Sequence, residues 1–599
     1  MSKQADIHKL STDKRKTNVW LFIALSILIA CIAFVAFINY AWKPFLSKKV
    51  KSTVYESTKG LYVINFSDVR FNIISGQASF DNLNLKADTL VYERLKRTKD
   101  APRHLYSIKL DKIIFTDISL SEIYFKKKLH LVDVMVNKPE VTIIYNDIKT
   151  KADTADKKTA YQQLSKFLKS FSINRIILKD ADITYRDQSA SKPKITNFKG
   201  FMLKVSDFKI DSLSQFDKSR FYYTKDISLL LKNHRFTTKD GLYNISIGEV
   251  LASTRAKSFK LTKLRVKPLY PEIEFSHKYK MQHDRYDFTF KEIGLSNIDF
   301  NKLNTERRLI ADKLQINGAD LKIFMNRAMP PVDFDKGRNY PHVVLKRLKI
   351  STRIDTLLIK NSNINYSEYN PKSKNKGTVT FNNFNARILN ITNDSLSLVR
   401  SHWARASTSA LLMGKAALNV SINFNLTSAN ADFNFNGTVG KMDMRILNTL
   451  TRNMSLAEIT SGTINKADFK VSGNLRTTTG YIKLYYNDLK LILLKTDDET
   501  NDLKTKTIVS ALANTIIKNE NPGKDGLLRI GKTEAERANY ASFFNLMWKS
   551  IFAGIKESVG VTIKNVEKIQ VKPSNRELRK AERKSRREVR KKAKEEQKE

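Results

Sequence analysis

The stretch LNVSINFNLTSANADFNF, residues 418–435, decides the predicted fold. Its first half alternates strictly, with apolar side chains on one parity at Leu418, Val420, Ile422, Phe424 and Leu426. A period of two places these side chains on one face of a half-buried strand. Small and polar residues follow at 427–430, and the alternation resumes at Phe433 and Phe435. The pattern therefore predicts a β-hairpin with one apolar face.

A ten-residue unit with the same character occurs in four places. The copies are VMVNKPEVTI (134–143), IILKDADITY (176–185), LQINGADLKI (314–323) and LLIKNSNINY (357–366). Positions one, three, eight and ten are apolar or tyrosine in every copy: Val134, Val136, Val141, Ile143, Ile176, Leu178, Ile183, Tyr185, Leu314, Ile316, Leu321, Ile323, Leu357, Ile359, Ile364 and Tyr366. We interpret each copy as strand, short turn and strand. The spacing of the copies is irregular, which indicates a quasi-repeat rather than a propeller or leucine-rich array.

These patterns predict a mainly β fold. We expect residues 50–510 to build an elongated, twisted β-sheet with a few short helices and a continuous apolar side. The repeat residues and the hairpin residues 418–435 are the candidate lining of that side. If the sheet curls around it, the apolar side forms a groove.

The N-terminal region predicts a membrane anchor. Residues 1–18 are polar and basic, and residues 19–41, VWLFIALSILIACIAFVAFINYA, carry no charge. About 20 apolar residues suffice to cross a bilayer, and Trp20 and Trp42 bracket the run like an aromatic belt. A cleaved signal peptide is the alternative, but its apolar core is usually about 7–15 residues long and ends in a small-residue cleavage site. We predict an uncleaved helix with residues 1–18 in the cytoplasm, although the flanking lysines barely decide its orientation.

The charge balance favours anionic partners. Lysine and arginine total 106 against 60 aspartate and glutamate, a formal net charge of +46. Nucleic acid, anionic lipid headgroups and lipopolysaccharide all suit such a chain, while lysine used simply as the solvated side of a sheet is the alternative. The aromatic residues follow the apolar parity of the strands instead of alternating with lysine, so we predict no nucleic-acid partner. Cys31 is the single cysteine, which excludes an internal disulfide and multi-cysteine zinc sites.

Residues 511–573 predict an amphipathic helical region. Its apolar side chains at helical spacing are Phe543, Phe544, Met547, Trp548, Ile551, Phe552 and Ile555. Thr533 and Glu536 have the spacing of a capping box. The helix either caps the open end of the sheet or lies in a membrane interface. Residues 574–599 form a basic tail, helical or disordered.

The sequence predicts no enzyme, no cofactor and no metal site. GLLRIGKT at 526–533 matches the phosphate-loop pattern, but the turn-forming NENPGKD precedes it where a buried strand is required. The histidines are scattered without the spacing of a zinc pair, and no G-x-S-x-G motif is present. A phosphate-loop ATPase remains a third hypothesis, testable by Lys532→Ala and a nucleotide-binding assay.

Several segments resemble the AsmA-like proteins, the TamB-related envelope family of Gram-negative bacteria. They are YVINFSDVRFNIISGQASFDNLNLKAD (62–88), the copies at 176–185 and 357–366, GTVGKMDMRILNTLTRNMSLAEITSGTINKADFKVSGN (437–474) and GYIKLYYNDLKLILLK (480–495). The low glycine and high asparagine and lysine content is similar to a Bacteroidetes-type member. The resemblance implies a β-taco-like groove that is anchored in the inner membrane and projects into the periplasm. The basic tail has no counterpart in the family.

The resemblance also implies lipid transport or outer-membrane biogenesis. The expected function is therefore an inner-membrane-anchored, single-pass periplasmic protein that binds or conducts lipid along its apolar groove. Its expected partners are phospholipid or another envelope lipid, the inner membrane, and an outer-membrane or envelope protein. The alternative is a structural or assembly factor of the envelope, whose apolar side is packed as a protein core.

Overall fold

A computed structural model describes Ser26 and residues 43–72, 75–119, 121–148, 159–165, 167–189, 193–214, 216–497, 503–505 and 517–561. Within these residues, 24 strands join a mixed sheet accompanied by short helices. The predicted mainly β class is confirmed. Apart from Ser26, the predicted anchor at 19–41 lies outside the described residues, as do the basic segments 1–18 and 574–599. Among the helices that the structure does describe, none combines the length and apolar character that crossing a bilayer demands.

The strands are long, and several exceed 15 residues. In chain order they are β1 (Tyr62–Asn65), β2 (Asp68–Asn72), β3 (Gln77–Ala87), β4 (His104–Phe115), β5 (Lys128–Asn137), β6 (Glu140–Tyr145), β7 (Ser170–Asp187), β8 (Lys194–Ile210), β9 (Asp226–Thr237), β10 (Tyr243–Ser253), β11 (Ser258–Pro268), β12 (Arg285–Ser296), β13 (Arg308–Asn326), β14 (Ser351–Asn370), β15 (Asn375–Thr392), β16 (Trp403–Leu412), β17 (Ala416–Asn425), β18 (Phe433–Val439), β19 (Met442–Asp443), β20 (Ala457–Gly473), β21 (Thr477–Thr496), β22 (Leu503–Thr505), β23 (Ile530–Lys532) and β24 (Ala535–Glu536).

The helices are short connections between strands, with one longer helix near each end of the described chain. They are α1 (Lys43–Ser57), α2 (Thr89–Arg97), α3 (Ala160–Leu164), α4 (Glu272–Tyr279), α5 (Phe300–Thr305), α6 (Pro341–Lys346), α7 (Ser395–Arg400), α8 (Asn448–Ser455) and α9 (Phe543–Ser558), with a π-helical turn at Glu122–Lys126 and 3₁₀ turns at Lys336–Asn339 and Met444–Leu447.

The chain divides into two compact units. The first comprises residues 1–234, 247–262 and 294–310, and the second comprises residues 235–246, 263–293 and 311–599. In the first unit β5 and β6 both run antiparallel to β4 and parallel to β7, while β3 pairs antiparallel with β1, β2 and β4. In the second unit β14, β15, β16, β17, β18, β20 and β21 pair antiparallel in that order.

The first unit contains one large core. Val50 and Val54 of α1, Tyr92 of α2 and Leu164 of α3 are buried in it together with side chains of β1 and β3–β5. Local polar contacts fix the helix starts: the Asp88 side chain accepts hydrogen bonds from the backbone at the beginning of α2. These helices therefore cover part of the apolar side of the sheet.

The predicted hairpin is present. Strands β17 and β18 pair antiparallel, with Ile422 opposite Phe435 and Phe424 opposite Phe433. Residues 426–432 connect the two strands, and the Asn425 side chain accepts hydrogen bonds from the backbone of Thr427 and Ser428. Local alternation and turn chemistry were sufficient to predict this element because both act between near neighbours.

The interpretation of the ten-residue unit as strand, turn and strand is wrong. Three copies lie within single continuous strands, β7, β13 and β14, and the first copy spans β5 and β6, which lie one after the other along β7. The fifth residue has a positive φ in every copy: Lys138 (46°), Asp180 (51°), Gly318 (62°) and Asn361 (51°). The third and eighth positions differ by an odd number, so without an extra residue their side chains would face opposite ways. Shifts in the registers of β7 with β8 and of β14 with β15 mark such bulges.

The predicted capping box is also wrong. Helix α9 begins at Phe543, and its N-cap is Ser542, whose side chain accepts from the backbone N–H of Asn545. Thr533 is buried between β23 and β24. Residues 530–532 of the phosphate-loop match form β23, which pairs with β21. The strand–loop–helix arrangement that would cradle phosphate is therefore not formed there.

Candidate functional site

Cross-strand register places the eight repeat residues of the first unit on one face of the sheet. Residues directly opposite each other in neighbouring strands share a face. The pairs are Val134 with Ile176, Val136 with Leu178, Val141 with Ile183, and Ile143 with Tyr185. We call these eight residues the first apolar face.

The first apolar face is buried at Val134 and Val136 and half-buried along the rest. Val134 and Val136 are buried in the core beneath the helices. The other six side chains are only partly buried. Leu178 and Ile183 border a small cluster made by Ala181, Phe201 and Leu231 with Val250. Two of the eight predicted lining residues are thus core residues in this structure. Ile143, Ile176 and Leu178 pack against the edge of that core, which leaves Val141 and Tyr185 half-buried outside the three buried clusters.

The second unit carries a comparable face on β14 and β15. Leu357 lies opposite Ile388, Ile359 opposite Ala386, Ile364 opposite Phe381, and Tyr366 opposite Val379. We call these eight residues the second apolar face. Leu358, in contrast, lies opposite Arg387, and Asn365 lies opposite Thr380, so the other side of the same strands is mixed and polar.

The second apolar face is half-buried along β14, whereas on β15 Ala386 is buried and Ile388 packs against the core that contains Tyr340. Leu357, Ile359, Ile364 and Tyr366 are all partly buried, and they belong to none of the three buried clusters. The four repeat residues of β13 have the same intermediate exposure: Leu314, Ile316, Leu321 and Ile323. Ser362 of β14 accepts a hydrogen bond from the backbone N–H of Ala319 at 3.2 Å, which joins the bulges of these two strands.

The register of the strands continues the second apolar face to the hairpin, where other side chains of the same chain cover it. Leu418 and Val420 are still partly buried. Beyond them the hairpin residues are buried with Tyr340 and α9 in what we call the second core: Ile422, Phe424, Leu426, Phe433 and Phe435. The Phe543 ring lies 4.9 Å from Phe433 and 5.5 Å from Phe424. These five residues were predicted to line an open groove, and in this structure they do not, because aromatic side chains of the same chain occupy that space.

The structure divides the apolar residues of α9 into two sets. Phe543, Met547, Ile551 and Ile555 pack against the second core, as expected for a helix that caps the sheet. Phe544 and Trp548 point away from it, with 68% and 49% of their surfaces exposed. Phe552 is partly buried, and its ring stacks on Trp548 at 5.8 Å. The membrane-interface hypothesis therefore concerns only Phe544, Trp548 and Phe552.

A polar cluster lies at one end of the second apolar face. No sequence pattern predicted it. The Tyr366 hydroxyl donates to Glu368 at 2.6 Å, and Arg327 lies 3.6 Å from the same carboxylate. Burial, followed by the charges of Glu368 and Asp284, raises the pKa of Tyr366. Burial also raises the pKa of Asp284, whose carboxylate accepts a long 3.5 Å hydrogen bond from Tyr286. Asp284 precedes β12, Arg327 follows β13, and Tyr366 and Glu368 lie in β14, so no local sequence pattern could have joined all of them.

The two faces have chemistry suited to binding. Each presents aliphatic and aromatic side chains at partial exposure, and the second also has carboxylates, tyrosine hydroxyls and a guanidinium at one end. Such a surface can hold hydrocarbon and offer hydrogen bonds to a polar group beside it. No protein-family model matches the chain, and no curated protein matches it.

Proposed function

We propose that this protein binds lipid on its apolar β faces and conducts it along them, in phospholipid transport or outer-membrane biogenesis. The observation that carries the proposal is the partial exposure of Leu357, Ile359, Ile364 and Tyr366, which share one face with apolar neighbours. A core face would be covered by a second layer, as happens at the hairpin. Side chains that are apolar, aligned and half-exposed suit a mobile apolar ligand.

The free energy of removing a lipid chain from water is large enough to hold the chain on such a face. Exposing hydrocarbon to water costs roughly 0.8 kcal/mol per CH₂, so a sixteen-carbon chain costs about 12 kcal/mol. A strip of half-exposed leucine, isoleucine and aromatic side chains removes much of this cost while leaving the ligand free to move. The polar cluster at Tyr366 and Glu368 supplies hydrogen-bond partners for the polar end of a lipid.

The cellular setting is proposed from the sequence. A single transmembrane helix at 19–41 would hold the chain in a bacterial inner membrane, with most of it in the periplasm. The resemblance to the AsmA-like family supports this setting and suggests an outer-membrane or envelope protein as a further partner. The same reasoning predicts a binding or transport protein and not an enzyme.

The test uses three consecutive residues of β14 whose side chains alternate between the two sides of the strand. Leu357→Asp together with Ile359→Asp places two carboxylates on the second apolar face, whereas Leu358→Asp places one on the other side of the same strand. We expect the double variant to lose most of the lipid that co-purifies with the detergent-solubilised full chain, measured by mass spectrometry, and to abolish transfer between vesicles. Leu358→Asp should keep both activities, and circular dichroism should show that both variants are folded.

A structural or assembly role is the second candidate, and one observation favours it. Five hairpin residues that were predicted to face lipid are buried by α9 and Tyr340, as in an ordinary protein core. If the full chain purifies without lipid, and the double variant transfers lipid as well as its parent does, the lipid proposal is wrong and this role replaces it.

A further inference from the structure

At one end of the first unit, large apolar side chains are exposed that belong neither to the first core nor to the first apolar face. Tyr124 and Phe125 have 74% and 79% of their surfaces exposed, and Phe167 has 63%. Exposed lysines surround them at Lys126, Lys127, Lys128 and Lys169. We call these seven residues the aromatic–lysine patch.

The two adjacent aromatic residues are held outward by a buried neighbour. Ile123, in the π-helical turn Glu122–Lys126, is buried in the first core. The backbone N–H of Ile123 donates to the Ser119 carbonyl oxygen at 3.2 Å, which fixes the start of the turn. With Ile123 inserted, Tyr124 and Phe125 must point to solvent, where their rings meet edge to face at 5.0 Å. The packing of Ile123 in the core therefore keeps both rings exposed.

Phe167 is presented in a similar way from a second segment. Its neighbours Leu164 and Leu168 are both buried in the first core. The backbone N–H of Lys169 donates to the carbonyl oxygen of Lys127 at 2.7 Å, so the segment with Phe167 is joined to the segment with Tyr124 and Phe125. The core contacts and this hydrogen bond bring the aromatic residues and lysines of both segments to one end of β5 and β7.

The charge of the patch is positive. Glu122 lies 3.1 Å from the Lys126 ammonium, so one lysine is partly neutralised. Lys127, Lys128 and Lys169 are exposed and lie in no ion pair that the described residues form at this end. A lysine close to an anionic bilayer contributes about fivefold to membrane affinity. Exposed tyrosine and phenylalanine beside lysine is the composition that proteins place at the headgroup level of a membrane.

We propose that the aromatic–lysine patch docks on the surface of an anionic lipid bilayer, with Tyr124, Phe125 and Phe167 entering the headgroup region. The lysines then meet lipid phosphates. This contact is separate from the predicted anchor at 19–41, and it does not depend on whether the apolar faces carry lipid. It would bring one end of the first unit against a membrane.

A local probe tests this contact within the full chain. In a Cys31→Ser background, Phe125→Cys is labelled with a polarity-sensitive fluorophore and mixed with vesicles of phosphatidylglycerol and phosphatidylcholine in equal amounts. The control probe is Val399→Cys, which is 88% exposed on α7 in the second unit. We expect a blue shift and quenching by brominated lipid at position 125 and neither at 399. The signal should vanish with phosphatidylcholine alone and fall as salt is raised.

Matched variants separate the patch from general membrane association. Changing Lys126, Lys127 and Lys128 together to glutamine should weaken the vesicle affinity reported by the position-125 probe by about 100-fold, at about fivefold per lysine. With the probe moved to position 124, Phe125→Ser plus Phe167→Ser should abolish the shift, whereas Leu90→Ser plus Val399→Ser, equally exposed elsewhere, should leave it unchanged. An unshifted probe on anionic vesicles, or a shift that survives in the lysine variant, would overturn the proposal, and the unchanged circular dichroism of each variant excludes misfolding.

Discussion

At the scale of the residue, the ten-residue unit depends on one position with positive φ. Asn361 has a φ of 51°, and its backbone N–H donates to the Asn385 side chain at 3.0 Å. Asparagine and glycine adopt this conformation at low cost, whereas β-branched residues do not. The bulge lets Leu357 and Ile359 share a face with Ile364 and Tyr366 despite the odd step between them.

The bulge predicts a specific sensitivity of Asn361. Asn361→Val should destabilise the second unit by about 1–2 kcal/mol, because valine in the left-handed region clashes with its own carbonyl. Asn361→Gly should change the free energy of unfolding by only a few tenths of that amount. Urea unfolding followed by tryptophan fluorescence measures both, since Trp403 and Trp548 lie in this unit. Asn365→Val, in the same strand but paired regularly with Thr380, is the control, and an equal loss there would contradict this explanation.

His342 predicts a pH dependence of stability. Its ring is buried 5.0 Å from Phe424, and its Nε2 donates to the Ala431 carbonyl oxygen at 3.0 Å. Burial lowers the pKa of His342 from its ordinary value of 6.5, and the nearby charge of Lys346 adds to the effect. The unfolded chain therefore binds a proton at His342 near pH 6.5, whereas the folded chain binds it only at lower pH. Because the unfolded state then holds more protons, the free energy of unfolding falls as the pH drops below 6.5.

A glutamine at this position should remove the effect. His342→Gln keeps an N–H that can reach Ala431 and does not titrate. We expect thermal unfolding of the parent chain to shift to lower temperature between neutral and mildly acidic pH, and to shift less in the variant. Parallel pH profiles for the two proteins would show that His342 is not responsible.

At the scale of the element, α9 is defined by what it covers. Its inward stripe completes the second core with Tyr340 and the hairpin β17–β18, and its outward side exposes Phe544 and Trp548. Amphipathicity alone predicted the stripe but left two interpretations open, a cap or a membrane-interface helix. The contacts of Phe543 with Phe424 and Phe433 support the cap for the inward stripe.

Two adjacent phenylalanines test this division. Phe543→Ala should destabilise the second unit by about 3–5 kcal/mol, because it leaves a cavity among aromatic rings. Phe544→Ala removes a side chain that is 68% exposed and should change the free energy of unfolding by less than about 0.5 kcal/mol. Chemical unfolding of the two variants measures the difference. Comparable losses would mean that the inward side of α9 is not the side that packs.

At the scale of the whole molecule, the net charge of +46 predicts a stability that depends on salt. Like charges repel in a folded chain, and the Debye length falls from about 30 Å at 0.01 M to about 8 Å at physiological ionic strength. We expect the thermal unfolding temperature to rise over this range of sodium chloride and then to level off. Sucrose, which does not screen charge, serves as the control. An unfolding temperature that is constant over the same range would indicate that the lysines are already compensated.

The sequence alone determined the β class, the hairpin and the apolar parity within each strand segment, because these depend on a period of two between near neighbours. It also marked α9 as amphipathic. Only the tertiary structure decided which apolar residues are covered and which are half-buried. Phe424 and Leu357 follow the same pattern, but Phe424 is covered by α9 and His342. The bulge at Asn361 and the polar cluster at Tyr366 likewise depend on neighbouring strands distant in the chain, and pairing between such strands is not encoded in any single stretch.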